Sequence, residues 1–278
     1  MMGHGAAGLL LAIRAVVLTT GEQDPNVLAG VRALGADTVV TFARPSAAAS
    51  SAASAAGLYY VPFLSVRDVD LLLDDPDALA AVRAIPGIAG FHYRDEDVIE
   101  GYTPASEQER AYAILKALFP GLPVLYAIRL DPIATDPGYL DGYVRPQFAD
   151  AVAPYFYPVA TTVLGEYQES DPWEARLLSL LVPLAARLPP GKTVLPVLQG
   201  FEQIGFPVGP EFAARQAEVY RAVWPDAADV AAFAWSVGMG EPLVGLSERP
   251  ALRTGFERLF LGLAPKPAAR VVPERPGR

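Results

Sequence analysis

Cysteine is absent from the chain, which excludes disulfides and thiolate chemistry. Histidine is nearly absent. His4 and His92 are the only two, too few for a histidine-rich zinc or two-metal centre, and no metal site or cofactor is expected. Lysine is confined to Lys116, Lys192 and Lys266. Of these, Lys192 alone lies near an expected strand, at its start, so a Schiff-base lysine at a strand's C-terminal end is not expected. Positive charge is in deficit, 22 basic against 31 acidic residues for a net −9, which argues against nucleic acid or an anionic membrane surface as partner. No apolar run is long enough to span a bilayer. The stretch from Gly5 to Ile13 is apolar, but no basic segment precedes it and Arg14 interrupts it, so it does not read as a signal peptide. The compartment stays open between cytoplasm and secretion with a leader removed, and so does the oligomeric state.

What is present is a core-forming composition, 52% hydrophobic, punctuated by 27 prolines and 24 glycines that mark many element boundaries. Strand-like and helix-like segments alternate throughout. The expected strands are 15–19, 37–42, 58–64, 88–93, 123–129, 150–157, 193–199 and 230–236. Helices follow Asp24-Pro25, Ser46, Asp75-Pro76, Thr103-Pro104, Asp136-Pro137, Asp171-Pro172, Gly209-Pro210 and Ser247. Most of these pairs place an N-capping side chain before a proline at the first helical position. Strict alternation without a composition break predicts one α/β domain, a single (β/α)₈ TIM barrel over 12–262, after a disordered segment 1–11 and before a flexible Pro/Arg-rich tail 263–278. A doubly wound open sheet is the alternative, but the turn Thr19-Thr20-Gly21-Glu22 lacks the glycine fingerprint of that fold.

The chain's most informative stretch is Gly90-Phe91-His92-Tyr93-Arg94-Asp95-Glu96-Asp97. An apolar strand ends there in alternating charge, at the end where barrels carry their chemistry. Side chains alternate along a strand. Phe91 and Tyr93 therefore face a covering helix, while His92, Arg94 and Glu96 point inward, with Glu96 at the mouth. The other strand ends add Arg129, Tyr157, Gln199 with Glu202, and Trp235. Carboxylates for proton transfer, amide and guanidinium groups for hydroxyls, and aromatic rings for apolar sugar faces form a carbohydrate-binding constellation.

Several short motifs resemble barrel glycoside hydrolases: the Asp95-Glu96 ending of strand 4, Pro123-Val124 opening strand 5, Tyr157-Pro158 closing strand 6, Pro196-Val197-Leu198-Gln199-Gly200-Phe201 for strand 7, and Phe233-Ala234-Trp235-Ser236 for strand 8. The resemblance implies Glu96 as proton donor. Two departures accompany it. Asp97 replaces the usual proline after Asp-Glu, and the strand 7 tip carries Gln199 where a retaining enzyme has its nucleophile, the nearest glutamate being Glu202.

The expected function is cleavage of a glycosidic bond in an oligo- or polysaccharide. Glu96, Asp95 and Glu202 are the catalytic candidates; Tyr157, Gln199, Trp235, Arg94, Arg129 and His92 are the substrate contacts. Two alternatives stay beside it: a carbohydrate-binding barrel without turnover, and a lyase or isomerase using a carboxylate-bound Mg²⁺ at Asp95, Glu96 and Asp97.

Overall fold

The computed structural model describes residues 13–18, 24–94, 96–97, 101–158, 173–203, 208–227, 229–235 and 243–263, with the backbone alone at positions 94, 96, 97, 101, 102 and 203. Eight parallel strands form a nearly closed barrel: β1 (Arg14–Leu18), β2 (Thr38–Thr41), β3 (Tyr59–Val61), β4 (Phe91–Arg94), β5 (Val124–Arg129), β6 (Ala151–Tyr155), β7 (Val197–Gln199) and β8 (Val230–Phe233). Their order around the sheet is β3-β2-β1-β8-β7-β6-β5-β4. Strands β3 and β4 meet through isolated pairs at Tyr60 with Ile88 and Phe63 with His92. Three backbone bonds reinforce that seam, Ala89 N–H to Tyr60 O at 2.8 Å, His92 N–H to Pro62 O at 3.1 Å and Leu64 N–H to His92 O at 3.0 Å. The expected (β/α)₈ barrel is therefore the fold.

Each strand is buried on both faces, which is why each reads as a short apolar run rather than a clean alternation. Inward positions are small or β-branched, among them Ala15, Val17, Val40, Val61, Ala153 and Ala231. Outward positions are bulkier, including Leu18, Tyr60, Phe91, Tyr93, Tyr126 and Ile128, and they pack beneath the helices. Phe91 and Tyr93 thus take the outward face expected of them.

The helices are α1 (Pro25–Ala33), α2 (Ala47–Ala55), α3 (Val66–Asp74), α4 (Pro76–Arg83), α5 (Ala105–Leu118), the short α6 (Pro132–Thr135) and α7 (Tyr139–Gly142), then α8 (Trp173–Ala185), α9 (Phe212–Val223) and α10 (Pro250–Gly262). Asp24, Ser46 and Asp75 cap α1, α2 and α4 with their side chains, as their sequence context predicts.

Three expectations change. The third strand, expected over 58–64, ends at Val61, and Ser65 caps the additional helix α3 through a reciprocal capping box with Asp68. The single helix expected after Asp136 is replaced by α7 and a 3₁₀ turn at Pro146–Phe148, since Gly142 and Pro146 break the run, and the unexpected α6 precedes Asp136. The seventh strand is split: Thr193–Val194 pairs with Ala151 and Val152, and Val197 resumes opposite Tyr155, because Pro196 between them has no N–H for the ladder.

Beneath α5 lies a layer of tyrosines. The Tyr93 and Tyr126 rings stack at 4.9 Å, and the Tyr93 hydroxyl donates to Phe148 O. Tyr112 donates to Asp150 at 3.1 Å, where Lys116 (3.0 Å) and the Val124 N–H (2.8 Å) also converge. Burial raises the phenol pKa of Tyr60, Tyr93, Tyr112 and Tyr220, with Tyr112 pushed up to about 12. A phenol raised in the folded state stays neutral where the unfolded chain would ionise it. Its contribution to stability is therefore complete below the ordinary tyrosine value of about 10 and is lost as pH rises through the folded values. In an alkaline titration these tyrosines should ionise late, together with loss of near-ultraviolet circular dichroism. Normal ionisation of every tyrosine before any structural change would contradict the buried layer.

Candidate active site

The C-terminal mouth of the barrel is floored by aromatic rings, because the inward residue at the upper end of several strands is large where those below it are small. Tyr157, just past β6, lies flat on Phe233 at 5.2 Å and meets the edge of Phe201 at 5.0 Å. Tyr155 adjoins it at 5.7 Å. On the opposite side, Phe42 contacts Phe233 at 5.6 Å, and His92 lies between Phe42 and Phe63 at 5.8 and 5.2 Å. Phe42, Phe63, Tyr155 and Tyr157 are half-buried, while Phe201, Phe233 and His92 are buried. The mouth therefore presents partly open ring faces over a filled interior.

His92 points inward as its strand position predicts. Its Nε2 lies 2.7 Å from Thr41 O. A carbonyl oxygen only accepts, so Nε2 carries the proton in this bond. The ring thus joins β4 to β2 across β3.

Glu96 lies two residues past β4. Its backbone forms a short antiparallel ribbon, with Glu96 opposite Tyr102 and Asp97 opposite Gly101. The Arg94 backbone pairs with Ala127 of β5. Asp95, Ser236 and the side chains of Arg94, Glu96 and Asp97 lie outside the described residues.

Three described carboxylates at this end each hold an arginine. Asp68 is 2.7 Å from Arg44, and Asp131 is 3.2 Å from Arg129 at the end of β5. Glu202 is buried 2.9 Å from Arg249, and the Val208 N–H donates to its other oxygen at 3.3 Å. It sits in a second ribbon, Phe201–Gln203 against Leu243–Gly245, in which Phe201 belongs to the barrel interior. Glu202 is the next residue along that strand, so it takes the opposite face and meets the start of α10. Sequence reasoning named Glu202 but had no signal for Arg249, which is distant in the chain. Among the described residues no group of three His, Cys, Asp or Glu could hold a metal ion; Asp95 and the side chains of Glu96 and Asp97 lie beyond that search.

Two other expected substrate contacts are buried. Gln199 is fully buried and tied to its surroundings: its amide donates to Phe201 O at 3.0 Å, its backbone N–H to Gln216 Oε1 at 2.8 Å, and Gln216 Nε2 to its carbonyl at 3.2 Å. Trp235, expected to line the mouth, packs in the outer layer between sheet and helices. β8 ends at Phe233, so its alternation does not extend to Trp235, and Gly30 in α1 leaves the space that the indole fills. A Cβ at Gly30 would stand 2.6 Å from that ring.

No protein-family model matches the sequence, and no curated protein matches it. Solved structures do. An FMN-binding β-glucuronidase from Facaelibacterium prausnitzii L2-6 superimposes with a TM-score of 0.59 at 13% identity, over 94% of this chain and 45% of its own. A GH2 β-galacturonidase from Eisenbergiella tayi bound to galacturonate gives 0.57 at 15% identity, over 91% of this chain and 52% of its own. A glycoside hydrolase family 17 β-1,3-glucanosyltransferase from Rhizomucor miehei gives 0.51 at 16% identity, over 80% and 86%. The chain spans about half the length of the first two. The likeness is one of fold, a (β/α)₈ barrel.

The Trp235 contact can be checked from both sides. Trp235→Ala should cost about 3–5 kcal/mol of stability by leaving a cavity, and Gly30→Ala about 1–3 kcal/mol by overpacking, both read by urea unfolding. If Trp235→Ala leaves the unfolding midpoint unchanged but weakens sugar binding, the indole belongs to the mouth.

Proposed function

We propose that the chain binds an oligo- or polysaccharide in the C-terminal mouth and hydrolyses a glycosidic bond there, with Glu96 as proton donor. The observation that carries this reading is the aromatic floor of Tyr157, Phe233 and Phe201 at the barrel end from which the Glu96 ribbon emerges. Partly open tyrosine faces suit the apolar faces of sugar rings. Arg129, already paired with Asp131, is one cationic group at this end that could take sugar hydroxyls or a uronate carboxylate, and Arg94, whose backbone ends β4, is the other expected contact. Glu202 is held by Arg249 and a backbone N–H, so the partner carboxylate in this reading is Asp95.

The arginine pairing of Asp68, Asp131 and Glu202 favours a second reading, a barrel that binds carbohydrate without turning it over. The two separate in one experiment. A panel of oligosaccharides is incubated with the wild type and with Glu96→Gln. The first reading expects hydrolysis by the wild type and a loss of at least about 10²-fold in kcat on a substrate with a poor leaving group. Binding without hydrolysis selects the second reading, and full activity in Glu96→Gln assigns the acid elsewhere.

Tyr157→Ala should raise KM for the same oligosaccharide by about 5–150-fold, matching about 1–3 kcal/mol for a lost ring contact, with little change in unfolding midpoint. An unchanged KM, or an unchanged dissociation constant if the barrel only binds, would remove Tyr157 from the sugar site.

A further inference from the structure

We propose that Gln108, on the first turns of α5 and outside the barrel, is the positioning residue that sets the Glu96 ribbon relative to the mouth. The proposal rests on Glu96 being the proton donor.

The ribbon is short, two residues to a strand, and a two-stranded element of that size has little stability of its own. Its placement must come from its two ends. One end is Arg94 in β4. The other is Thr103, immediately after Tyr102, which pairs with Glu96. Thr103 was expected to cap α5, but the N-cap position is Pro104, with no side-chain cap bond. The Thr103 carbonyl is instead accepted into a tertiary contact: Gln108 Nε2 donates to it at 2.7 Å and also donates to Tyr143 O.

The Tyr143 carbonyl in turn accepts the Tyr126 hydroxyl at 3.0 Å. Tyr126 belongs to β5, and its ring stacks on Tyr93 of β4. The path from Thr103 through Gln108, Tyr143 and Tyr126 therefore returns to the two strands beside which the ribbon emerges. Both ends of the ribbon are referred to one rigid piece of sheet.

The amide orientation follows from its partners. Two carbonyl oxygens face one end of the Gln108 side chain, and only the NH₂ group can serve both, one hydrogen to each. Gln108 is fully buried, and its Oε1 is buried with no hydrogen-bond partner among the described residues. An unpaired buried acceptor costs stability. An apolar residue of similar shape would avoid that cost, so what this amide supplies is the pair of donors on Thr103 and Tyr143.

Two variants test this. Gln108→Met keeps the volume and removes the donors. Gln108→Glu keeps the shape and places carboxylate oxygens against two carbonyls. Each is assayed on two glycosides of the same sugar, one with a poor alcohol leaving group and one with a dinitrophenolate leaving group that needs no proton. The expected result is a fall in kcat of about 10–10²-fold on the first, the scale of a small misplacement of a catalytic group, with kcat on the second and both KM values unchanged. A fold merely weakened by the substitution would lower both activities together, and that equal loss overturns the proposal. Hydrogen exchange is read in parallel. Amides 96, 97 and 101–103 should lose protection in the variants while those of β4 and β5 keep it, and unchanged protection at those five positions overturns the anchor. If the wild type hydrolyses neither glycoside, the assignment of Glu96 fails, and the hydrogen-exchange result alone decides whether Gln108 holds the ribbon.

Discussion

The closure of the sheet between β3 and β4 is the joint on which the rest of the molecule depends. Seven of the interstrand contacts are continuous ladders or nearly so, whereas this one is isolated pairs and a few backbone bonds. His92 adds a side-chain bond that passes over β3 to the Thr41 carbonyl of β2, and the Phe42 and Phe63 rings hold the imidazole on both sides. Because β4 is also the strand that leads into Glu96, the same few residues close the barrel and fix where its most chemically suggestive segment begins. Closure gathers all eight strand ends on one rim, and a floor of rings contributed by different strands can then form.

The mouth shows a division of labour between charge and surface. The described acids near it are neutralised in place by Arg44, Arg129 and Arg249, so the net negative charge of the chain is not focused there by those residues. What the mouth offers instead is aromatic area. Selectivity in such a site comes from ring geometry and a few hydrogen-bonding groups rather than from a strong field.

Much of the fold was legible because its signals are local. Asp24-Pro25, Ser46 and Asp75-Pro76 each place a cap and a helix start within a few residues, and both-face burial leaves apolar runs that mark the strands. The inward and outward faces of Phe91, His92 and Tyr93 followed from alternation alone. The site was less legible because its determinants are distant pairs. Glu202 looks like a catalytic partner until Arg249 is brought beside it, and Trp235 looks like a sugar platform until Gly30 opens a space for it under α1. Ser65 and Asp68 carried a readable capping box and were passed over because the preceding strand was extended too far. Gln108 has no sequence signal at all, since its partners are backbone carbonyls.

The placement of the three tryptophans has an optical consequence. Trp235 lies against α1, Trp173 meets the edge of Phe212 at 5.4 Å with Arg215 above it, and Trp224 stacks on Tyr220 at 6.3 Å. All three belong to the shell where helices dock on the sheet, and the described rings of the mouth are phenylalanine, tyrosine and histidine. Indole emission from this protein is thus a gauge of helix docking, and a glycan settling on Tyr157 would be seen in the tyrosine signal while the indoles report an undisturbed shell.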